Sequence, residues 1–204
     1  MNGKNVMRSG VLALAGVVCI GGTQADEARG YAGISAGQAR LTDFCDDFTS
    51  DVSCDDSPLA IRAYAGASLD KYISAEVGFT YVDDADISAS VGGGFLEATG
   101  DLKTLDGTLL FGTSRENDLR AFAKAGVVFW HYGLEGEVSA PGFLLRGDEE
   151  ESGLGFRTGL GASYAVNDGI AIRLDWDYIA KVGDDETTGE TAVHMFSIGP
   201  QFSF

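Results

Sequence analysis

Two histidines, His131 and His194, are the only imidazole bases in the 204 residues. Nucleophilic catalysis needs a hydroxyl or thiol within hydrogen-bond reach of such a base. His131 is followed by Tyr132 and Gly133, and His194 by Met195 and Phe196, so neither has a serine two positions on. No catalytic residue is assigned, and an enzyme is not expected. Cys45 and Cys54 bracket a short acidic segment. Zinc prefers four ligands, so two thiols alone make a poor metal site. A disulfide between them is expected instead, contributing on the order of 2–3 kcal/mol by constraining the unfolded chain. Two acid clusters, Asp46, Asp47, Asp51, Asp55 and Asp56 and then Asp148-Glu149-Glu150-Glu151, invite a calcium reading. Neither has the alternating carboxylates and central glycine of a calcium loop, so solvated negative surface is expected, with no metal and no cofactor. Gly92-Gly93-Gly94 lacks the following helix and Lys-Ser/Thr of a phosphate loop and reads as a hairpin bend.

The elements that carry these residues follow from composition and patterning. With 31 acidic and 14 basic residues the net charge is −17, which argues against nucleic acid, since phosphate binding needs a basic face. Apolar residues make up 45%, too many for an acidic disordered tail. One domain is expected from the length. The one long apolar run, Gly10 to Gly22, is too short to span a bilayer as a helix. Preceded by Lys4 and Arg8 and followed by Thr23-Gln24-Ala25, it reads as a secretory leader over residues 1–25, cleaved before Asp26. Val18 before Cys19 is a poor lipoprotein signal. Export leaves Cys45 and Cys54 as an even pair in an oxidising compartment.

After the leader the pattern has period two. Ile73, Ala75, Val77, Phe79 and Tyr81 share one face, and Ser74, Glu76, Gly78 and Thr80 the other. Segments 59–69, 170–178 and 196–204 repeat this clearly, and 31–40, 102–112, 120–132 and 156–164 more weakly. Eight strands are expected. Short turns at 70–71, 114–118 and 166–169 alternate with long connections at about 42–57, 83–101, 133–154 and 180–192. The long ones hold most of the acids, with Arg146 and Lys181 their only bases. That asymmetry suits an outer-membrane barrel, with long loops facing open solvent. A soluble eight-stranded barrel would turn its apolar face inward. Charge and glycine gather on one face here, and Tyr81, Phe111, Trp176 and Tyr178 sit near strand ends on the other, as at a membrane interface. The expected fold is all-β: an eight-stranded antiparallel up-and-down transmembrane barrel over residues 26–204.

Ser74-Ala75-Glu76-Val77-Gly78-Phe79, the run from Ala171 to Tyr178, and the closing strand ending at Phe204 resemble the OmpA-like transmembrane barrel family. The resemblance covers nearly all of residues 28–204 and implies a place in the cell outer membrane, in contact with lipid and lipopolysaccharide; a monomer is expected, since eight strands can close in one chain. It does not extend to the peptidoglycan-binding domain of larger members. It also implies that Glu76, Lys124 and Asp175 are charged lumen residues. Arg62, Asp106 and Arg157 have the same parity and complete an expected lumen ion-pair cluster, because isolated charges in a narrow interior must be neutralised. The terminal aromatics Phe202 and Phe204 resemble the signal read by the barrel assembly machinery. Such a protein is expected to be structural or surface-interactive, its lumen plugged by polar and charged side chains. The alternatives are a narrow, low-conductance channel, or an adhesin that holds a host or surface ligand in its acidic loops. Pro200 is the one residue that fits a closing strand badly, since it removes a ladder donor.

Overall fold

The computed structural model describes residues 30–42, 52–54, 57–91, 94–114, 117–140, 143–182 and 191–204. The leader, Cys45 and the acids Asp46, Asp47, Asp51, Asp55 and Asp56 lie outside these. The described residues form nine strands: β1 (Gly30–Leu41), β2 (Val52–Cys54), β3 (Leu59–Ser68), β4 (Ile73–Val91), β5 (Gly94–Gly112), β6 (Leu119–Ala140), β7 (Phe143–Asn167), β8 (Ile170–Val182) and β9 (Thr191–Ser203). All except β2 build the barrel, in the order β4-β3-β1-β9-β8-β7-β6-β5, and β5 pairs back onto β4. All pairs are antiparallel, and first meets last: Tyr31 lies opposite Gly66 of β3 and Ser203 of β9.

The alternation read from the sequence sorts the two faces, and the sorting is inverted relative to a soluble protein. Arg62 and Arg157 are 1% and 0% exposed, whereas Val77 and Leu105 are 62% and 60% exposed. Apolar side chains on the outside and ions within suit hydrocarbon surroundings, where a closed sheet also satisfies every backbone group. The short turns share one end. The Leu69 N–H donates to the Ile73 carbonyl at 2.9 Å, and the Asn167 side-chain oxygen accepts from the Gly169 N–H at 3.0 Å. Pro200 sits in β9 with Ile172 of β8 as its partner. Toward β1, pairs run on either side of it, Gly33 with Gln201 and Ala36 with Ile198, but not at it. The missing donor is thus confined to one neighbour.

Two of the expected long connections are ladder instead. β4 and β5 stay paired out to Val91 opposite Gly94, and β6 and β7 out to Ala140 opposite Phe143. β5 and β6 pair over the same stretch, from Phe95 opposite Ser139 inward. Four strands therefore leave the barrel as one ribbon, and β2 adds to its β4 edge, Val52 opposite Ala89. The segments 83–101 and 133–154 carry acids and glycines on both faces, because outside the membrane neither face meets hydrocarbon. Without one-sided burial, strands lose the alternation that reveals them. Of Gly92-Gly93-Gly94, only Gly94 is described; it opens β5.

Candidate functional site

Inward side chains stack in three levels along the lumen. At the short-turn end are Tyr31, Tyr64, Arg120, Phe122 and Gln201, all buried. At mid-height are the charges. Glu76 (β4) meets Arg62 (β3) at 3.0 Å, and the Arg62 guanidinium donates to both Asp106 (β5) oxygens, at 2.5 and 2.9 Å. Asp106 also accepts from Arg157 (β7) at 2.9 Å, and Arg157 reaches Asp177 (β8) at 2.8 Å. The Lys124 (β6) ammonium bridges Asp177 and Asp175, at 2.9 and 2.6 Å. Asp175 meets Arg173 at 2.8 Å, and Arg173 closes the circuit on Glu76 at 2.6 Å. Four acids and four bases alternate around a closed ring, each touching two opposite charges.

The arrangement answers the cost of desolvating eight ions. A buried charge is tolerated only when its partners and hydrogen bonds replace water. Thr80 adds an acceptor shared by Arg62 and Arg157, at 3.3 and 3.2 Å. Arg173 lies between the rings of Tyr64 and Phe122, 4.3 and 4.7 Å from their centroids, a cation–π sandwich. Gly78 is required by the same packing, since a Cβ there would overlap the Arg62 guanidinium.

The structure brings Arg62, Glu76, Asp106, Lys124, Arg157 and Asp175 together and adds Arg173 and Asp177. Both added residues share the parity of Asp175 in β8, which was the signal available for finding them. Above the ring, toward the ribbon, the lumen is apolar. Ala39, Leu41, Ala60, Val82, Ala85, Leu102, Val128, Trp130, Ile179, Val182, Val193 and Met195 pack into one buried cluster. The polar and charged side chains expected in the lumen are thus joined by an apolar level. A bulge between Val82 and Ala85 lets both point inward although three positions apart, and Gly153 of β7 leaves room for the Trp130 ring.

Outside the lumen, His131 has a serine partner that its own strand does not show. Its Nδ1 lies 2.8 Å from Ser152 Oγ across the β6–β7 ladder. The pair is exposed on the outer face, and among the described residues no carboxylate hydrogen-bonds His131, so the orienting third member of a triad is lacking. His194 stacks on Trp176 and lies tilted against Tyr178, with centroids 6.0 and 5.0 Å away, an aromatic group of the kind found at a membrane interface. Phe202 and Phe204 are exposed, and the Phe204 N–H donates to the Gly30 carbonyl at 2.9 Å. Among the described residues no group of three or more His, Cys, Asp or Glu converges to hold a metal ion.

Known proteins share both sequence and shape with this chain. Residues 24–204 match the family described as the OmpA-like transmembrane domain. Outer membrane protein A of Yersinia pseudotuberculosis is 23% identical over 194 residues, covering 95% of this chain and 53% of that protein. Outer membrane protein A of Klebsiella pneumoniae is 24% identical over 147 residues, 72% of this chain and 41% of that protein. The chain thus spans about half the length of the curated relatives it matches. Among solved structures, Neisserial surface protein A superposes with a TM-score of 0.58 at 15% identity, covering 87% of this chain and 100% of that one. Ail, the attachment invasion locus protein of Yersinia pestis, gives 0.56 at 13%, covering 87% and 99%. A second Ail structure is a complex with the heparin analogue sucrose octasulfate. At these identities the shapes show the fold alone. With the family match over most of the chain, the inverted barrel belongs to the OmpA-like transmembrane domain family and resides in the cell outer membrane.

Proposed function

We propose that the chain is a sealed, non-catalytic barrel that presents an acidic ribbon at the cell surface. The observation that carries this reading is the filling of the lumen by the charged ring and the apolar level above it. A closed ring of eight paired charges leaves no uncompensated ion to draw water or solute through. The cluster above it adds a level of close-packed aliphatic and aromatic side chains, where a water column is disfavoured. An eight-stranded barrel is in any case about filled by its own side chains.

On this reading residues 1–25 are removed on export, Cys45 and Cys54 close the first connection, and Phe202 and Phe204 serve the assembly machinery. The protein works as a monomer among outer-membrane lipid and lipopolysaccharide, and its surface role lies in the ribbon. Ail has been solved with a sulfated heparin analogue. The ribbon here carries Glu97, Asp101, Glu135, Glu137, Asp148, Glu149 and Glu150, so it repels sulfate and favours cationic ligands.

Single-channel recording in planar bilayers tests the sealed lumen. Wild type, with insertion verified, is expected to be silent. Discrete openings in wild type that Lys124→Gln alters would replace this reading with the narrow channel.

A further inference from the structure

The ribbon has two unlike edges. On the β4 side, β2 covers residues around Ile87 to Ala89. On the β7 side, pairing with β8 begins only at Phe156 opposite Ala180. Among the described residues, β7 from Phe143 to Glu150 therefore has β6 on one side and no strand on the other. An edge strand of this kind presents a row of backbone donors and acceptors ready to pair with another chain.

The side chains along that edge narrow the choice of partner. Phe143, Leu144 and Leu145 are more than half exposed at the tip. Asp148, Glu149 and Glu150 follow, and β-strand alternation puts Glu149 on the opposite face from the other two. Arg146 is already committed to Glu137 of β6 at 2.8 Å. Behind the edge the charge is again negative: Glu135 lies directly opposite Asp148, and Glu97 directly opposite Glu137. Like charges opposed across a ladder are destabilising, and an incoming cation relieves them. A second copy of the chain would set acid runs close to each other. Self-pairing is thereby disfavoured.

Resting on the surface role proposed above, we infer that the β7 edge from Phe143 to Glu150 docks an extended cationic segment of a partner protein by strand addition. Because the acids occupy both faces, the segment needs consecutive lysines or arginines, not alternate ones, followed by apolar residues to meet Phe143–Leu145. Main-chain hydrogen bonds hold it, and charge selects it.

The probe is a ten-residue peptide with three consecutive lysines and three valines, measured against the full protein in lipid nanodiscs at low and moderate salt. Binding is expected that weakens with salt. N-methylation of alternate peptide amides should weaken it at least tenfold, since it removes the ladder and keeps the charge. Glu149→Lys with Glu150→Lys should abolish it, while Glu97→Lys, away from the edge, should change it less than threefold. Equal binding of the N-methylated peptide would overturn strand addition, as would an equal loss with Glu97→Lys. A protein that binds surface ligands yet refuses the peptide would overturn this inference and leave the surface role standing. Dimerisation through this edge would overturn the choice of partner.

Discussion

The lumen and the ribbon are both rich in carboxylates and arrange them by opposite rules. In the lumen every acid touches two bases, and acids and bases are equal in number around the ring. In the ribbon Glu135 faces Asp148, and Glu97 faces Glu137, which has Arg146 beside it at 2.8 Å. The difference is the medium. Within the barrel the effective dielectric is low and an unpaired charge costs several kcal/mol. Above the membrane, water and salt reduce a like-charge contact to a few tenths. Strict pairing therefore marks where stability is decided, and tolerated repulsion marks where binding can be. The consequences are graded.

Arg157→Met leaves Asp106 and Asp177 each short of a partner, and should cost about 3–5 kcal/mol, as for breaking any buried pair. Urea unfolding in lipid vesicles measures this. Trp130→Ala removes the largest side chain of the apolar level and should cost about 3 kcal/mol, with small openings appearing in bilayer recordings that wild type lacks. Gly78→Ala drives a methyl into the Arg62 guanidinium. A loss of about 1–3 kcal/mol is expected, seen as a lower urea midpoint without a change of fold by circular dichroism. Glu135→Gln should stay within about 0.5 kcal/mol of wild type, on the stabilising side at low salt and indistinguishable at high salt. A large loss from Glu135→Gln would erase the contrast between the two regions.

The sequence makes the barrel legible where one face meets lipid. In β3, and in β4 up to Val82, alternation is strict because each residue answers to one of two media. Parity also separates inside from outside for Arg62, Glu76, Asp106, Lys124, Arg157 and Asp175. What parity lacks is height. Arg173 and Asp177 flank Asp175 on the same face, yet only register shows that all three reach the ring. The apolar level was hidden for a related reason: Leu102, Val128, Ile179 and Met195 occupy inward positions that elsewhere hold polar groups, so along each strand they read as noise. The ribbon was hidden by its surroundings, since strands wet on both faces carry no period. Ser152 was missed as the partner of His131 because it arrives across a ladder and not along the strand.

The coupling of the lumen charges is tested most directly by a double-mutant cycle on Arg62 and Asp106. Arg62→Met, Asp106→Leu and the double variant would be unfolded in urea from the same vesicles. The ring requires that the double variant lose much less than the two singles together, with a coupling of about 2 kcal/mol or more, within the range for residues in one network. Strict additivity, with each substitution acting as though the other were intact, would contradict it.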